Sequence, residues 1–267
     1  MQQPLPLDAT GQAQSETPPK APWRRKSGQW VYNPHSDKPF KLSRTQLENL
    51  QKCERCFYLN NRLGIGQPKG PPFTLNSAVD ALLKKEFDIH RAAGTKHPLQ
   101  ERYGIDAVPF DHASINSWRE NFVGVRYHHP ATNLMLFGAV DDIWVNPAGE
   151  LLVVDYKATS TQREISLDDP WRQQYKRQLE IYQWLLRKNG QIVSDTGYFV
   201  YCNGLTDREA FDGKLEFHVE VMPYKGSDTW IDETVERAAT VLRLDAPPER
   251  SQRCEYCLYT EAVAGPE

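Results

Sequence analysis

Residues 134–157 have the sequence LMLFGAVDDIWVNPAGELLVVDYK, and this stretch decides the fold. Two apolar runs, 134–145 and 151–157, flank the turn sequence NPAG. Apolar runs joined by a turn that contains Pro and Gly are typical of a β-hairpin. The LLVV segment of the second run is apolar at consecutive positions, which predicts a strand covered on both faces in the middle of a sheet.

Charged side chains stand at the end of that second strand. Asp155 and Lys157 are two residues apart, so both project from one face of a strand. Such groups are costly to bury unless they are paired or bind a metal. The first strand carries Asp141 and Asp142, and one of them can lie beside Asp155. Facing carboxylates favour a Mg²⁺ or Mn²⁺ site, and the alternative on spacing alone is an ordinary Asp–Lys ion pair at a sheet edge.

Helical and strand patterns surround the hairpin. A capping-box spacing at Ser43 opens an early helix. The later predicted elements are helices at 76–92, 169–188 and 228–244 and strands at 196–201 and 215–222. The mixed pattern at 94–130 predicts no element. The order of the elements indicates an α/β fold with a mixed central sheet flanked by helices.

Gln178 and Tyr182 are four residues apart and share one face of the helix predicted at 169–188. If that helix packs on the hairpin, Gln178 can reach a metal-bound water or the substrate, and Tyr182 can form a hydrogen bond or stack. The alternative is that Tyr182 belongs to the core and Gln178 faces solvent.

Four of the five cysteines form two CxxC pairs, Cys53 with Cys56 and Cys254 with Cys257. Two such pairs are a good four-thiolate metal signature for iron–sulfur or Zn²⁺. The site would fasten the beginning of the folded region to its end and would be structural. The alternative is four unrelated reduced thiols. Cys202 lies in a predicted strand and is expected in the core.

Composition and charge set outer limits. The net charge of −3 over 267 residues does not indicate a general polyanion binder. Residues 20–69, however, hold 11 Lys and Arg against 3 Asp and Glu, a local +8 that can attract phosphates or belong to a solvated, partly disordered segment. We predict a disordered or extended segment at 1–40 and a single domain at 41–260. No apolar run is long enough for a membrane span, and the N-terminus lacks signal-peptide features, so a cytoplasmic protein without a membrane partner is expected.

Three motifs occur in order: GAVD at 138–141, DYK at 155–157 and QLEIY at 178–182. They resemble the GxxD, DxK and QxxxY motifs of the PD-(D/E)XK nuclease superfamily. The segment 42–59, LSRTQ followed by CERCFYL, is similar to the RecB-type branch, which includes the CRISPR-adaptation exonucleases and the AddB nuclease domain.

The resemblance implies a restriction-endonuclease-like fold and a Mg²⁺- or Mn²⁺-dependent deoxyribonuclease. It implies metal ligation by Asp141, Asp155 and the backbone carbonyl of Tyr156, and it selects Asp141 over Asp142, which becomes a neighbouring or surface group. The catalytic residues that it implies are Asp141, Asp155, Lys157, Gln178 and Tyr182. By analogy, the substrate is a single-stranded or frayed DNA end, in repair, recombination or defence, and partners in a repair or CRISPR-type complex are unknown. The basic segment with Trp23, Trp30 and Phe57 is then expected to guide or stack a DNA strand.

Two features depart from the RecB-type pattern. Asp80 stands where that branch usually has a metal-binding His, which either alters the metal preference or weakens activity. The branch holds a 4Fe–4S cluster with one early and three late cysteines, whereas this chain has two of each. We expect a 4Fe–4S cluster, with Zn²⁺ as the alternative. The alternative to an enzyme is a non-catalytic nucleic-acid-binding module that keeps the fold and the cysteine site.

Overall fold

The computed structural model describes residues 28, 30–68, 70 and 73–265. Most of the segment predicted to be disordered or extended, including Trp23, lies outside the described residues. The strands are β1 (Phe40–Ser43), β2 (Val108–Pro109), β3 (Val125–His129), β4 (Leu134–Gly138), β5 (Asp142–Val145), β6 (Leu151–Thr159), β7 (Thr196–Gly204) and β8 (Phe217–Lys225). The helices are α1 (Arg44–Lys52), α2 (Glu54–Arg62), α3 (Thr74–Ala93), α4 (Pro98–Arg102), α5 (Ile115–Arg119), α6 (Gln173–Lys188), α7 (Ile231–Leu242) and α8 (Glu255–Ala264), with a 3-10 turn at Pro170–Arg172 before α6.

A five-stranded sheet has the order β2-β5-β6-β7-β8. Its central strand β6 runs antiparallel to β5 and parallel to β7. Parallel neighbours need a crossover connection, and α6 lies within the connection between β6 and β7. The predicted mixed sheet flanked by helices is therefore confirmed, and so is the restriction-endonuclease-like fold class.

Both faces of β6 are covered, as the LLVV segment predicted. Val153 belongs to the core cluster that contains Leu179 of α6. Val154 belongs to a second cluster that contains Phe87 of α3. Because side chains alternate along a strand, Asp155 follows Val153 towards α6.

The predicted strand at 134–145 is wrong in one respect, since it is two strands in different sheets. β4 lies between β1 and β3 in a three-stranded sheet, whereas β5 pairs with β6 in the larger one. Between them the N–H of Val140 donates to the Trp118 carbonyl at 3.0 Å instead of joining a ladder. Val140 is fully buried, so the apolar pattern continues through the break and conceals it. The hairpin itself, β5 with β6, is confirmed.

The capping box at Ser43 is present. Ser43 Oγ accepts from the Gln46 N–H at 3.3 Å, and Gln46 Oε1 accepts from the Ser43 N–H at 2.6 Å. The helix α1 therefore begins where its sequence predicts. The strand β1, which ends at the same Ser43, was not predicted.

The other predicted helices and strands occur within a few residues of their expected bounds. The unplaced segment 94–130 supplies α4, β2, α5 and β3. No helix among the described residues combines the length and the apolar character that crossing a membrane would require.

Candidate active site

Asp155 and Lys157 lie side by side near the end of β6. Asp155 is fully buried, and its Oδ2 forms an ion pair with Lys157 Nζ. The Lys157 side chain is 14% exposed, and its ammonium lies 4.6 Å from the centre of the Tyr175 ring of α6. This is a buried pair below a helix, not the ion pair at an exposed sheet edge that spacing alone left open.

Asp141 reaches the same place from the break between β4 and β5. Its Oδ2 accepts from the backbone N–H of Tyr156 at 2.9 Å, which holds it beside Asp155. Its Oδ1 lies 3.8 Å from Lys84 Nζ, and the same ammonium pairs with Asp80 at 2.9 Å. The helix α3 therefore brings an acid and a base to the partly exposed side of the site.

The helix α6 covers the buried side. Gln178 Nε2 donates to Asp155 Oδ1 at 2.8 Å and lies 3.2 Å from the Tyr182 hydroxyl. Both side chains are buried. The alternative of a solvated Gln178 is wrong, whereas Tyr182 does belong to the core cluster, and the contact of Gln178 with water or substrate stays a prediction.

Two basic residues at the site were missed by the sequence analysis. Arg44 of α1 lies close enough to Tyr182, Asp155 and Asp141 for their charges to act on it. Lys84 lies between two acids, Asp80 of α3 and Asp141 of the break between β4 and β5. The signal for Lys84 was available, because it lies four residues after Asp80 on a predicted helix.

Asp142 points to the opposite side of the sheet and is fully buried. It accepts from Arg119 at 2.7 Å, from Arg91 and from the Tyr156 hydroxyl at 2.8 Å. The expectation of a surface group is wrong, because Asp142 is buried and two arginines neutralise it inside the core. Asp141, and not Asp142, lies beside Asp155, and its role as the acid of the site stays a prediction.

Burial and like charge dominate the electrostatics. Burial, opposed by the charge of Lys157 and reinforced by that of Asp141, raises the pKa of Asp155 to about 7. Burial and Asp141 also raise the pKa of Asp80. Burial alone would lower the pKa of Lys157, but the carboxylates of Asp155 and Asp141 raise it above its ordinary value. Burial and like charge thus make the carboxyl groups of Asp155 and Asp80 harder to ionise than free carboxyls.

A comparison with protein families supplies the context for this geometry. The family model described as the PD-(D/E)XK nuclease superfamily matches residues 75–262, which is more than two thirds of the chain. The chain belongs to the PD-(D/E)XK nuclease superfamily. The match includes the acids of α3, the strand break and β6. The narrower resemblance to the RecB-type branch remains a prediction.

Other comparisons add little to this assignment. The crystal structure of SSO0001 is similar to this chain with 18% sequence identity and a TM-score of 0.44, over 85% of this chain and 86% of that one. A search of curated proteins found no match.

The donor set of this nuclease-superfamily site fits a divalent cation that prefers oxygen. Asp155 Oδ2 is buried and accepts no hydrogen bond of ordinary geometry within the described residues, although Lys157 lies against it. Carboxylate oxygens are the ligands that Mg²⁺ and Mn²⁺ prefer. A cation would also remove the repulsion between Asp155 and Asp141. The residues present therefore fit such an ion.

A cavity of about 990 Å³ adjoins the site. Arg44, Gly138 and Tyr182 form its inner wall, and Trp30 and Phe122 form part of its outer rim. The two aromatic rings meet edge to face with centroids 6.1 Å apart, and Phe122 is 72% exposed. An open apolar rim therefore leads to the buried charged groups of the site.

The expected role of Phe57 in stacking DNA is wrong. Its side chain is fully buried in the main core cluster, so no base can reach it. Of the three aromatic residues proposed for this role, Trp30 lines the cavity and Trp23 lies outside the described residues.

The four cysteines of the CxxC pairs come together at a second site. Cys53 Sγ lies 3.6 Å from Cys257 Sγ, and Cys56 Sγ lies 3.6 Å from Cys254 Sγ. All four sulfurs lie within 4.8 Å of one another, and all four residues are buried. The alternative of four unrelated thiols is wrong, and this group can hold a metal. Cys202 is a separate core residue of β7, as expected.

Proposed function

We propose that the chain is a Mg²⁺- or Mn²⁺-dependent deoxyribonuclease that hydrolyses phosphodiester bonds on single-stranded or frayed DNA ends. The observation that carries the proposal is the convergence of Asp141, Asp155 and Lys157 at one end of β6. Bringing two carboxylates and an ammonium together inside a protein costs free energy unless a ligand binds them. A purely structural role would not require this arrangement.

The metal site in this proposal consists of Asp141, Asp155 and the backbone carbonyl of Tyr156, with Asp80 as a further acid. A bound divalent cation would supply Lewis-acid polarisation of the phosphate and would lower the pKa of the attacking water.

Lys157 acts through its charge. Its raised pKa keeps the ammonium protonated at neutral pH, so it does not serve as a proton acceptor. Its Nζ lies against Asp155 Oδ2, where it can stabilise negative charge that develops on phosphate oxygens held beside that carboxylate. Removal of one such donor typically slows catalysis by about 10²- to 10³-fold.

Gln178 and Tyr182 position the acids. The amide of Gln178 fixes Asp155 Oδ1, so the other carboxylate oxygen faces the site. Tyr182 lies against the same amide and lines the cavity together with Arg44. This chain of contacts links substrate binding in the cavity to the orientation of Asp155.

The cavity supports the choice of a single strand. Unpaired bases stack on aromatic side chains without sequence preference, whereas the bases of a duplex already stack on one another. Trp30 and Phe122 provide such a surface beside the acids. The amides of Asn49, Asn60 and Asn121, which also line the cavity, offer hydrogen-bond donors and acceptors for base edges or phosphates.

The test compares wild type with Asp155→Asn and Lys157→Ala on end-labelled single- and double-stranded DNA in Mg²⁺ or Mn²⁺. Matched controls are Asp207→Asn and Lys214→Ala, which change exposed residues outside the site. We expect loss of at least about 100-fold for the site variants and wild-type rates for the controls. Equal cleavage by the wild type and all variants would indicate a contaminating nuclease and would refute the proposal that this chain is the enzyme.

One observation favours a second candidate, a binding module without catalysis. Asp80 pairs with Lys84 at 2.9 Å and is therefore partly neutralised by the protein itself. If that pair prevents metal binding, the wild type will bind labelled single-stranded DNA but will not cleave it in either metal. Replacement of the acid by the residue usual in the RecB-type branch, Asp80→His, would then be expected to restore cleavage.

A further inference from the structure

We infer that the four cysteines hold a single tetrahedral Zn²⁺ and not a 4Fe–4S cluster, and that this ion is what attaches α8 to the rest of the protein. The inference concerns the second site and does not depend on the nuclease activity proposed above. It departs from the cluster that the RecB-type resemblance implies.

The distances between the sulfurs decide the kind of metal. The centre of a regular tetrahedron lies about 0.61 of an edge from each corner. An edge of 3.6 Å, as in two of the sulfur pairs, therefore corresponds to a metal–sulfur distance of about 2.2 Å, and the upper limit of 4.8 Å corresponds to about 2.9 Å. A Zn–thiolate bond is about 2.3 Å long. One ion therefore fits the space with little movement of the cysteines.

A cubane cluster does not fit the same space. Each of its thiolates binds a different iron and points away from the centre, so four irons and four sulfides must lie between the thiolates. Sulfurs at 3.6 Å are already in van der Waals contact, as in both the Cys53–Cys257 and the Cys56–Cys254 pairs. The cysteines would have to move apart on two helices to admit the cluster.

Both cysteine pairs lie at the N-terminus of a helix. Cys53 immediately precedes α2 and Cys254 immediately precedes α8, and the partner of each lies in the first turn of its helix. The N–H of Cys56 points to Cys53 Sγ at 3.4 Å. Thiolates at helix N-termini are stabilised by such N–H groups, and a C-x₂-C pair is the usual unit of a closed structural zinc site. With four cysteine ligands, the site has no open position for catalysis.

The attachment of α8 depends on this site because little else holds it. Cys257 is the only buried residue among the ten of α8, and four of its apolar side chains are 43–69% exposed. Between 249 and 265, the hydrogen bonds found among the described residues are local, apart from the contacts between cysteines. The last cross-links before that segment are Arg55 to the Pro248 carbonyl and Tyr58 to the Leu244 carbonyl. A ten-residue helix without a packed face is marginal by itself.

The test begins with metal and sulfide analysis of the full chain, purified without oxygen from cells supplied with both zinc and iron. We expect one zinc per chain, no acid-labile sulfide and a colourless protein. Replacement of the zinc by Co²⁺ should give the visible bands of tetrahedral cobalt bound to thiolates. About four irons with four sulfides per chain, or cysteines oxidised to disulfides, would overturn the inference.

The second measurement is hydrogen–deuterium exchange with and without a zinc chelator. We expect chelation to increase exchange in residues 249–265 by at least tenfold, while β6 and β7 stay protected. Cys257→Ser should lose the zinc and the protection, and Cys202→Ser, which changes the fifth cysteine, should keep both. Equal protection of α8 in metal-free and zinc-loaded wild type would refute the attachment, and this comparison remains valid even if Cys257→Ser does not fold.

Discussion

Lowering the pH from 8 to 6 is expected to weaken Mn²⁺ binding about tenfold, because the proton and the cation compete for Asp155. The pKa of this carboxyl is raised to about 7 by its burial and by Asp141. At pH 8 the carboxylate is about nine tenths ionised, and at pH 6 it is about nine tenths protonated. Each pH unit below the pKa then lowers the apparent affinity about tenfold, which corresponds to about 1.4 kcal/mol.

The raised pKa of Asp155 also makes the free energy of unfolding of the metal-free protein depend on pH. The folded-state pKa of about 7 lies above the unfolded value of about 3.9, so the folded state binds more protons between these limits. The free energy of unfolding that this group contributes therefore falls as the pH rises from 4 to 7, and it is constant above 7. Because the folded and unfolded pKa values are about 7 and about 3.9, the full change in the free energy of unfolding is on the order of 4 kcal/mol. Asp155→Asn should flatten this part of the pH profile.

Calorimetric titration with Mn²⁺ at pH 6, 7 and 8 measures the binding, and urea unfolding in EDTA over the same range measures the stability. Asp207→Asn is the control, since it removes an exposed carboxylate far along the chain from β6. An affinity that is constant from pH 6 to 8 would refute the competition. Tight Mn²⁺ binding by Asp155→Asn would refute the assignment of this residue as a ligand.

Gly138→Ala should destabilise the fold by about 1–3 kcal/mol and slow cleavage, because the new Cβ would lie 2.6 Å from Tyr182 Cε1 and displace that ring; urea unfolding and a cleavage assay check both. Tyr156→Phe should cost about 1.5–3 kcal/mol by removing the buried hydrogen bond to Asp142, yet it should leave the cleavage rate near wild type because the ring faces away from the site. Phe122→Ala should weaken single-stranded DNA binding by about 1–3 kcal/mol, as measured by fluorescence anisotropy in Ca²⁺.

Matched variants separate these effects from general damage. Gly204→Ala adds a Cβ that meets its neighbours at ordinary distances of 3.5–3.6 Å, so it should be far milder than Gly138→Ala. Phe211 is 73% exposed, nearly the same as Phe122, and Phe211→Ala should leave DNA binding unchanged. Equal effects within either pair would contradict the reasoning. For Tyr156→Phe, a loss of cleavage without a loss of stability would place the hydroxyl in the chemistry.

The parts of the site that follow from local rules were predictable. Strand alternation places Asp155 and Lys157 on one face, and helical spacing places Gln178 and Tyr182 together. Neither relation requires knowledge of distant residues. The same holds for the start of α1, because a capping box is read within four positions.

The parts that depend on distant partners were not predictable. The strand β1 has only four residues and exists through its pairing with β4, more than ninety positions away. Asp141 and Asp142 are neighbouring residues of the same type, so the sequence does not distinguish them. They differ in the structure because Arg91 and Arg119, which lie 51 and 23 positions before Asp142, form hydrogen bonds with it. Sulfur spacing is a property of the assembled fold, so the sequence alone left the choice between zinc and iron open.

Tyr156 connects the two acids by different groups: its main-chain amide holds Asp141, and its phenol holds Asp142. Substitution of Tyr156 by any residue other than proline removes the phenol but keeps the main-chain N–H. The residue between Asp155 and Lys157 can therefore be changed without loss of the hydrogen bond to Asp141. A proline at this position would remove the N–H from which Asp141 accepts, and it would also disturb the central strand β6 that carries Asp155 and Lys157.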